Sequence, residues 1–123
     1  MSKIAVRIWE RDFELAVSFQ NYPGETITDN QNKILAEVPS IDYSPAKDEV
    51  KNYITKHYSS KLGNDNLNNV FRFIMPKSIL IPRTDDENVF AVMCNFKFDM
   101  EHGIALIYEN EVLKEIGPQD LIL

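Results

Sequence analysis

Between Val89 and Phe98 the side chains alternate, with Phe90, Val92, Cys94, Phe96 and Phe98 on one face and Asn95 and Lys97 on the other. A period of two marks a half-buried strand. The segment Phe98-Asp99-Met100-Glu101-His102-Gly103-Ile104 breaks the run with two carboxylates, an imidazole and a glycine, and alternation then resumes through Ile104, Leu106 and Tyr108. Glu109-Asn110-Glu111 supplies another turn, and Val112 to Ile116 a last strand before Gly117-Pro118. Consecutive strands joined by tight turns form a meander. Its longest run, Val89 to Phe98, is expected at the centre of a sheet whose apolar face other elements must cover.

The N-terminal segments carry the same period. Lys3 to Glu10 places Ile4, Val6 and Ile8 on one side, and Asp12 to Gln20 places Phe13, Leu15, Val17 and Phe19 on one side. The polar Glu10-Arg11-Asp12 between them predicts a hairpin. Trp9 falls opposite Ile8, either at a rim or partner surface or as an edge tryptophan lying over a side chain.

The middle of the chain is helical. Asn21-Tyr22-Pro23-Gly24 ends the second strand, and Thr28 with Gln31 has capping-box spacing ahead of Ile34, Leu35 and Val38, closed by Pro39. Ser44-Pro45 opens a second helix on which Val50, Tyr53, Ile54, His57 and Tyr58 recur at helical intervals, with Gly63 at its end. Leu67 to Ile74 is read as a short helix. Pro76 and Pro82 bracket Lys77 to Ile81 as a short strand near an edge, because proline cannot donate to a ladder.

These elements predict an α+β fold: one mainly antiparallel sheet, built from the N-terminal hairpin and the C-terminal meander, with two or three helices packed on one face. At 123 residues a single domain spanning 1–123 is expected. No apolar run reaches the roughly 20 residues of a spanning helix, and Met1-Ser2 leads straight into the first strand. A cytoplasmic protein without a membrane partner follows, and the single cysteine agrees with a reducing compartment. The net charge of −6 repels phosphate backbones, so nucleic acid is not an expected partner and a cationic protein is.

Asp99, Glu101 and His102 place two carboxylates and an imidazole in one turn, a set that could bind a divalent cation or exchange protons. The structural reading is stronger. Asp99 can accept backbone amides two residues on, Gly103 can take a positive φ, and His102 can brace a neighbouring loop. His57 is read as a packed helix residue and Cys94 as a core thiol. Asp85-Asp86-Glu87 lacks the spacing of a calcium loop and is read as a solvated tip. No catalytic residue, metal site or cofactor is assigned.

Ser78-Ile79-Leu80-Ile81-Pro82-Arg83, then Phe98-Asp99-Met100-Glu101-His102-Gly103-Ile104, then Ile116-Gly117-Pro118-Gln119-Asp120 resembles an uncharacterised bacterial domain family with S-x-x-I-P, (W/F)-D-x-E-H-G and G-x-Q-D motifs. Phe98 stands where that pattern has tryptophan. The resemblance implies a small α+β domain with no assigned activity, met near toxin-immunity-type loci. It also implies that Asp99, Glu101, His102, Gly103, Gln119 and Asp120 share one role, either binding or locking the fold, with Asp120 returning beside the turn. Three functions compete: an acidic binder of a protein partner, of the immunity type that neutralises a cationic toxin; a metal-assisted or acid–base hydrolase using Asp99, Glu101 and His102; and a structural or oligomerisation domain, with a homodimer left open. The first is the expectation adopted.

Overall fold

In the computed structural model, which describes residues 3–123, six strands form one sheet: β1 (Lys3–Ile8), β2 (Arg11–Phe19), β3 (Ile74–Ile81), β4 (Val89–Phe96), β5 (Ile104–Glu109) and β6 (Val112–Gly117). They lie side by side in chain order. Every neighbouring pair is antiparallel except β2 and β3, which run parallel. A parallel pair needs a long crossover, and α1 (Asp29–Glu37) and α2 (Ser44–Leu62) lie within it. The α+β class, the N-terminal hairpin and the C-terminal meander are all present. The reading of Met1 and Ser2 lies outside the described residues.

The first hairpin turns one residue earlier than its polar residues suggest. Ile8 pairs with Arg11, so Trp9 and Glu10 are the two turn residues, with φ of 51° and 68°. Two positive φ values belong to the mirror-type hairpin turn whose twist matches that of the strands. A tryptophan is costly there, and its side chain shows what holds it. Trp9 is buried, its Nε1 donates to the Tyr43 carbonyl at 2.9 Å, and its ring rests 5.6 Å from Phe71. Its ring thus lies over a side chain, that of Phe71, and it is a core tie to the start of α2 and not a rim or partner-surface residue.

β3 is an interior strand, between β2 and β4, and not an edge as its prolines imply. Pro76 is tolerated because the ladder to β4 slips beside it: Pro76 faces Cys94 and Ser78 faces Met93, leaving Lys77 as the extra residue of a bulge. The bulge also answers a parity problem. Ile74 and Ile79 are an odd number of positions apart, yet both face the helices, and an inserted residue makes that possible. The short helix expected over Leu67–Ile74 is only a single 3-10 turn, Val70–Arg72, capped by the Asn69 side chain.

One face of the sheet packs against the helices. Ile34 and Val38, with Ala46, Val50 and Ile54 of α2, meet Val6, Leu15, Ile79, Phe90, Val92, Cys94, Phe96 and Leu106. Ser44 makes no side-chain cap; its amide donates to Asp42 Oδ1 at 3.0 Å, and Pro45 in the first turn marks the start of α2. His57 is exposed, its ring 4.8 Å from Tyr53, and so is not the packed residue its spacing predicts. On the opposite face a smaller cluster, Leu80, Ala91, Met93, Ala105 and Ile107, is joined by Ile122. The Gln20 side chain donates to the Ile122 carbonyl at 3.2 Å, fastening the chain's last residues to that face. Among the described residues no helix is long and apolar enough to cross a membrane.

Gln31 joins the helices to the sheet. Its side chain is fully buried, and the amide oxygen accepts from Thr28 N at 3.0 Å and Asn21 Nδ2 at 2.7 Å. The amide nitrogen donates to the carbonyls of Gln20 at 3.1 Å and Ile81 at 3.2 Å, at the ends of the parallel strands. Gln31→Leu keeps the volume but strands these buried partners. It should lower unfolding free energy by about 2–3 kcal/mol, measured by urea denaturation; a loss under about 0.5 kcal/mol would show that water replaces the amide.

Candidate functional site

The residues from Phe98 to Gly103 form a self-contained turn. Asp99 Oδ1 accepts the backbone amide of His102 at 3.1 Å, the Gly103 amide donates to the Asp99 carbonyl at 2.9 Å, and His102 Nδ1 lies 3.1 Å from both Asp99 carboxylate oxygens. That backbone hydrogen bond is the main reason the Asp99 carboxyl is held below its ordinary range, with the imidazole and Lys61 adding to it. The carboxylate in turn raises His102 above its ordinary value of 6.5. Lys61 Nζ at the end of α2 donates to the Phe98 carbonyl at 2.9 Å, and the Phe98 ring sits 5.4 Å from Phe73 and 6.0 Å from Tyr58. No indole N–H is needed at this position.

Gly103 and Gln119 complete the lock. Gln119 N donates to the His102 carbonyl at 3.1 Å, and its side-chain nitrogen donates to the Cys94 carbonyl at 3.0 Å. Gly103, at φ 60°, lies directly beneath: a Cβ there would stand 2.5 Å from Gln119 Nε2 and 2.7 Å from the Cys94 carbonyl oxygen. The structure therefore brings Asp99, His102, Gly103 and Gln119 into one network. Glu101 and Asp120 are exposed and act on His102 only through their charge. Among the described residues no three His, Cys, Asp or Glu side chains gather in a way that could hold a metal ion. Cys94 is buried, its thiol pushed up by desolvation and so unreactive.

A roomier concavity lies away from this turn. Between α2 and β6, the last strand of the sheet, runs a groove of about 700 Å³. Buried Ala46 and Tyr108 and half-buried Leu113 and Ile116 form its floor, and the exposed carboxylates Asp42, Glu49, Glu111 and Glu115 stand around it. Leu113 and Ile116 both face the helices because β6 also bulges, with Lys114 the residue left over between Tyr108↔Leu113 and Ile107↔Glu115. None of the six residues singled out from the motifs lines this groove.

Fold and site define a small α+β domain whose most distinctive motif fastens a turn, and whose open groove lies at the sheet's edge. The chain belongs to the domain of unknown function DUF6985, whose sequence profile matches residues 2–123. No curated protein and no solved structure matches it.

Two outcomes test the lock. A group whose pKa is raised on folding stabilises fully below its unfolded value and loses that effect as pH rises through its folded value. His102 should therefore titrate above 6.5 by NMR, its stabilising effect fading as pH rises past that midpoint, and Asp99→Asn should bring the midpoint down; a midpoint indifferent to Asp99 would dissolve the pair. Gly103→Ala should cost about 2 kcal/mol or more in a denaturant melt, from the positive φ and the close approach of backbone. A near-neutral result would show that Gln119 moves aside freely.

Proposed function

We propose that this domain is an acidic protein-binding module, of the immunity type that neutralises a cationic toxin in the cytoplasm of a bacterial cell. The observation that carries the proposal is the α2–β6 groove, where apolar floor and carboxylate rim lie together on an open edge of the molecule. An apolar floor supplies affinity through burial, and carboxylates at a rim steer a basic partner and set its orientation. The net charge of −6 acts in the same direction over longer range.

The hydrolase alternative has one point in its favour, the carboxylate-oriented imidazole of Asp99 and His102. An exposed histidine braced in this way is equipped to exchange protons. Neither residue lines the α2–β6 groove, however, and the polar atoms of Asp99 are engaged by its own turn. The binding reading uses the groove and leaves the turn its structural role.

The test is association. The purified domain, offered extract of the cells that produce it, should retain a basic protein whose affinity falls about tenfold or more from low to physiological salt. Co-expression with that protein should restore growth that the protein alone suppresses. Retention of no protein at either salt concentration would end the proposal.

A further inference from the structure

One group in the α2–β6 groove is left unserved by its own fold. Tyr108 is 2 % exposed, and its hydroxyl has no hydrogen-bond partner among the described residues. Buried hydroxyls are rarely left so, because an unmet donor or acceptor opposes folding. The phenol is not free to swing toward a partner: Phe90 stacks on it at 5.1 Å and 7°, and Tyr43 meets it edge-on at 5.4 Å. Burial raises the Tyr108 hydroxyl well above its ordinary pKa, and the charge of Asp42 adds to the shift. The hydroxyl therefore stays protonated and keeps an oxygen able to accept.

The surroundings specify what would satisfy that oxygen. Asp42, Glu49, Glu111 and Glu115 are exposed around the groove, and Asp42, whose Oδ1 accepts the Ser44 amide at 3.0 Å, keeps its second oxygen for a partner. Of its two lysines, Lys114 is already held by Glu109 at 2.6 Å, and Lys56 makes no ion pair among the described residues. The floor, with Ala46, Leu113 and Ile116, is apolar. Arginine combines a three-carbon stem that lies along apolar surface with a planar fork of donors for carboxylate and hydroxyl oxygens. The bulge at Lys114 and the charges along β6 oppose simple strand addition, so recognition falls to side chains in the groove.

We infer that the α2–β6 groove receives an extended basic segment of the protein partner, anchored by one arginine whose stem covers Ala46, Leu113 and Ile116 and whose guanidinium donates to the Tyr108 hydroxyl and to Asp42. This rests on the binding-module reading and adds to it the place and the chemistry of recognition. It also explains the orphan hydroxyl as a group kept for the bound state.

The probe is a random peptide library displayed on phage and selected on the full-length domain. Enriched peptides should share an arginine at one position with basic residues beside it, and replacing that arginine by lysine should weaken binding about tenfold. Glu49→Lys with Glu115→Lys should remove binding without lowering Tm. Tyr108→Phe should split two readouts: the free domain melts about 4 °C higher, since a buried unmet hydroxyl is gone, and peptide affinity falls about tenfold. Enrichment of acidic or uncharged peptides, no enrichment at all, or affinity indifferent to Tyr108→Phe would overturn the inference. The cognate partner separates the two levels: binding that survives the paired Glu→Lys change removes the groove and leaves the module, whereas a wild-type domain that binds no protein removes the module.

Discussion

The parallel join between β2 and β3 is the constraint on which the rest depends, and the Gln31 amide secures it. Every other strand pair closes through a short connection, but this pair brings together segments separated by both helices. Closing so long a loop has an entropic cost that local contacts cannot offset. The side chain that meets it is polar, fully buried and wholly satisfied, so its bonds form in low dielectric where an unmade one would be expensive. Thr28 ties the same residue into the helix as well. Its hydroxyl accepts the Gln31 amide while Gln31 caps Thr28, so the start of α1 and the strand ends are fixed together.

The turn at Asp99 performs a comparable service at the other end of the sheet. Its carboxylate organises the turn, Gly103 permits close approach, and Gln119 crosses from the chain's end to the Cys94 carbonyl. A motif rich in acids and imidazole can therefore be a piece of architecture.

Much of this was legible in the residues. The periods of β1, β2, β4 and β5, the Thr28–Gln31 box and the stripe of α2 each reflect a local rule, and local rules survive folding. What escaped depended on contacts distant in sequence. Trp9 reads as a rim residue or an edge tryptophan over a side chain, and nothing near it in sequence announces the Tyr43 carbonyl that its indole meets. Pro76 reads as an edge signal, and the bulge that removes the objection to proline is revealed only by the pairing with β4. A second bulge, at Lys114, hides in β6. The lock was partly visible, since Asp99, His102, Gly103 and Gln119 do converge. The groove was not, because no short pattern announces that a helix and an edge strand diverge.

The two outermost strands bear on how copies of this protein behave together. β1 turns Lys3, Ala5 and Arg7 outward, and β6 interrupts its own ladder at Lys114. An uninterrupted, uncharged margin would invite neighbouring copies to continue the sheet from molecule to molecule. Charge on one margin and a kink on the other make the sixth strand a terminus, so crowded molecules have no straight template along which to polymerise into fibrils.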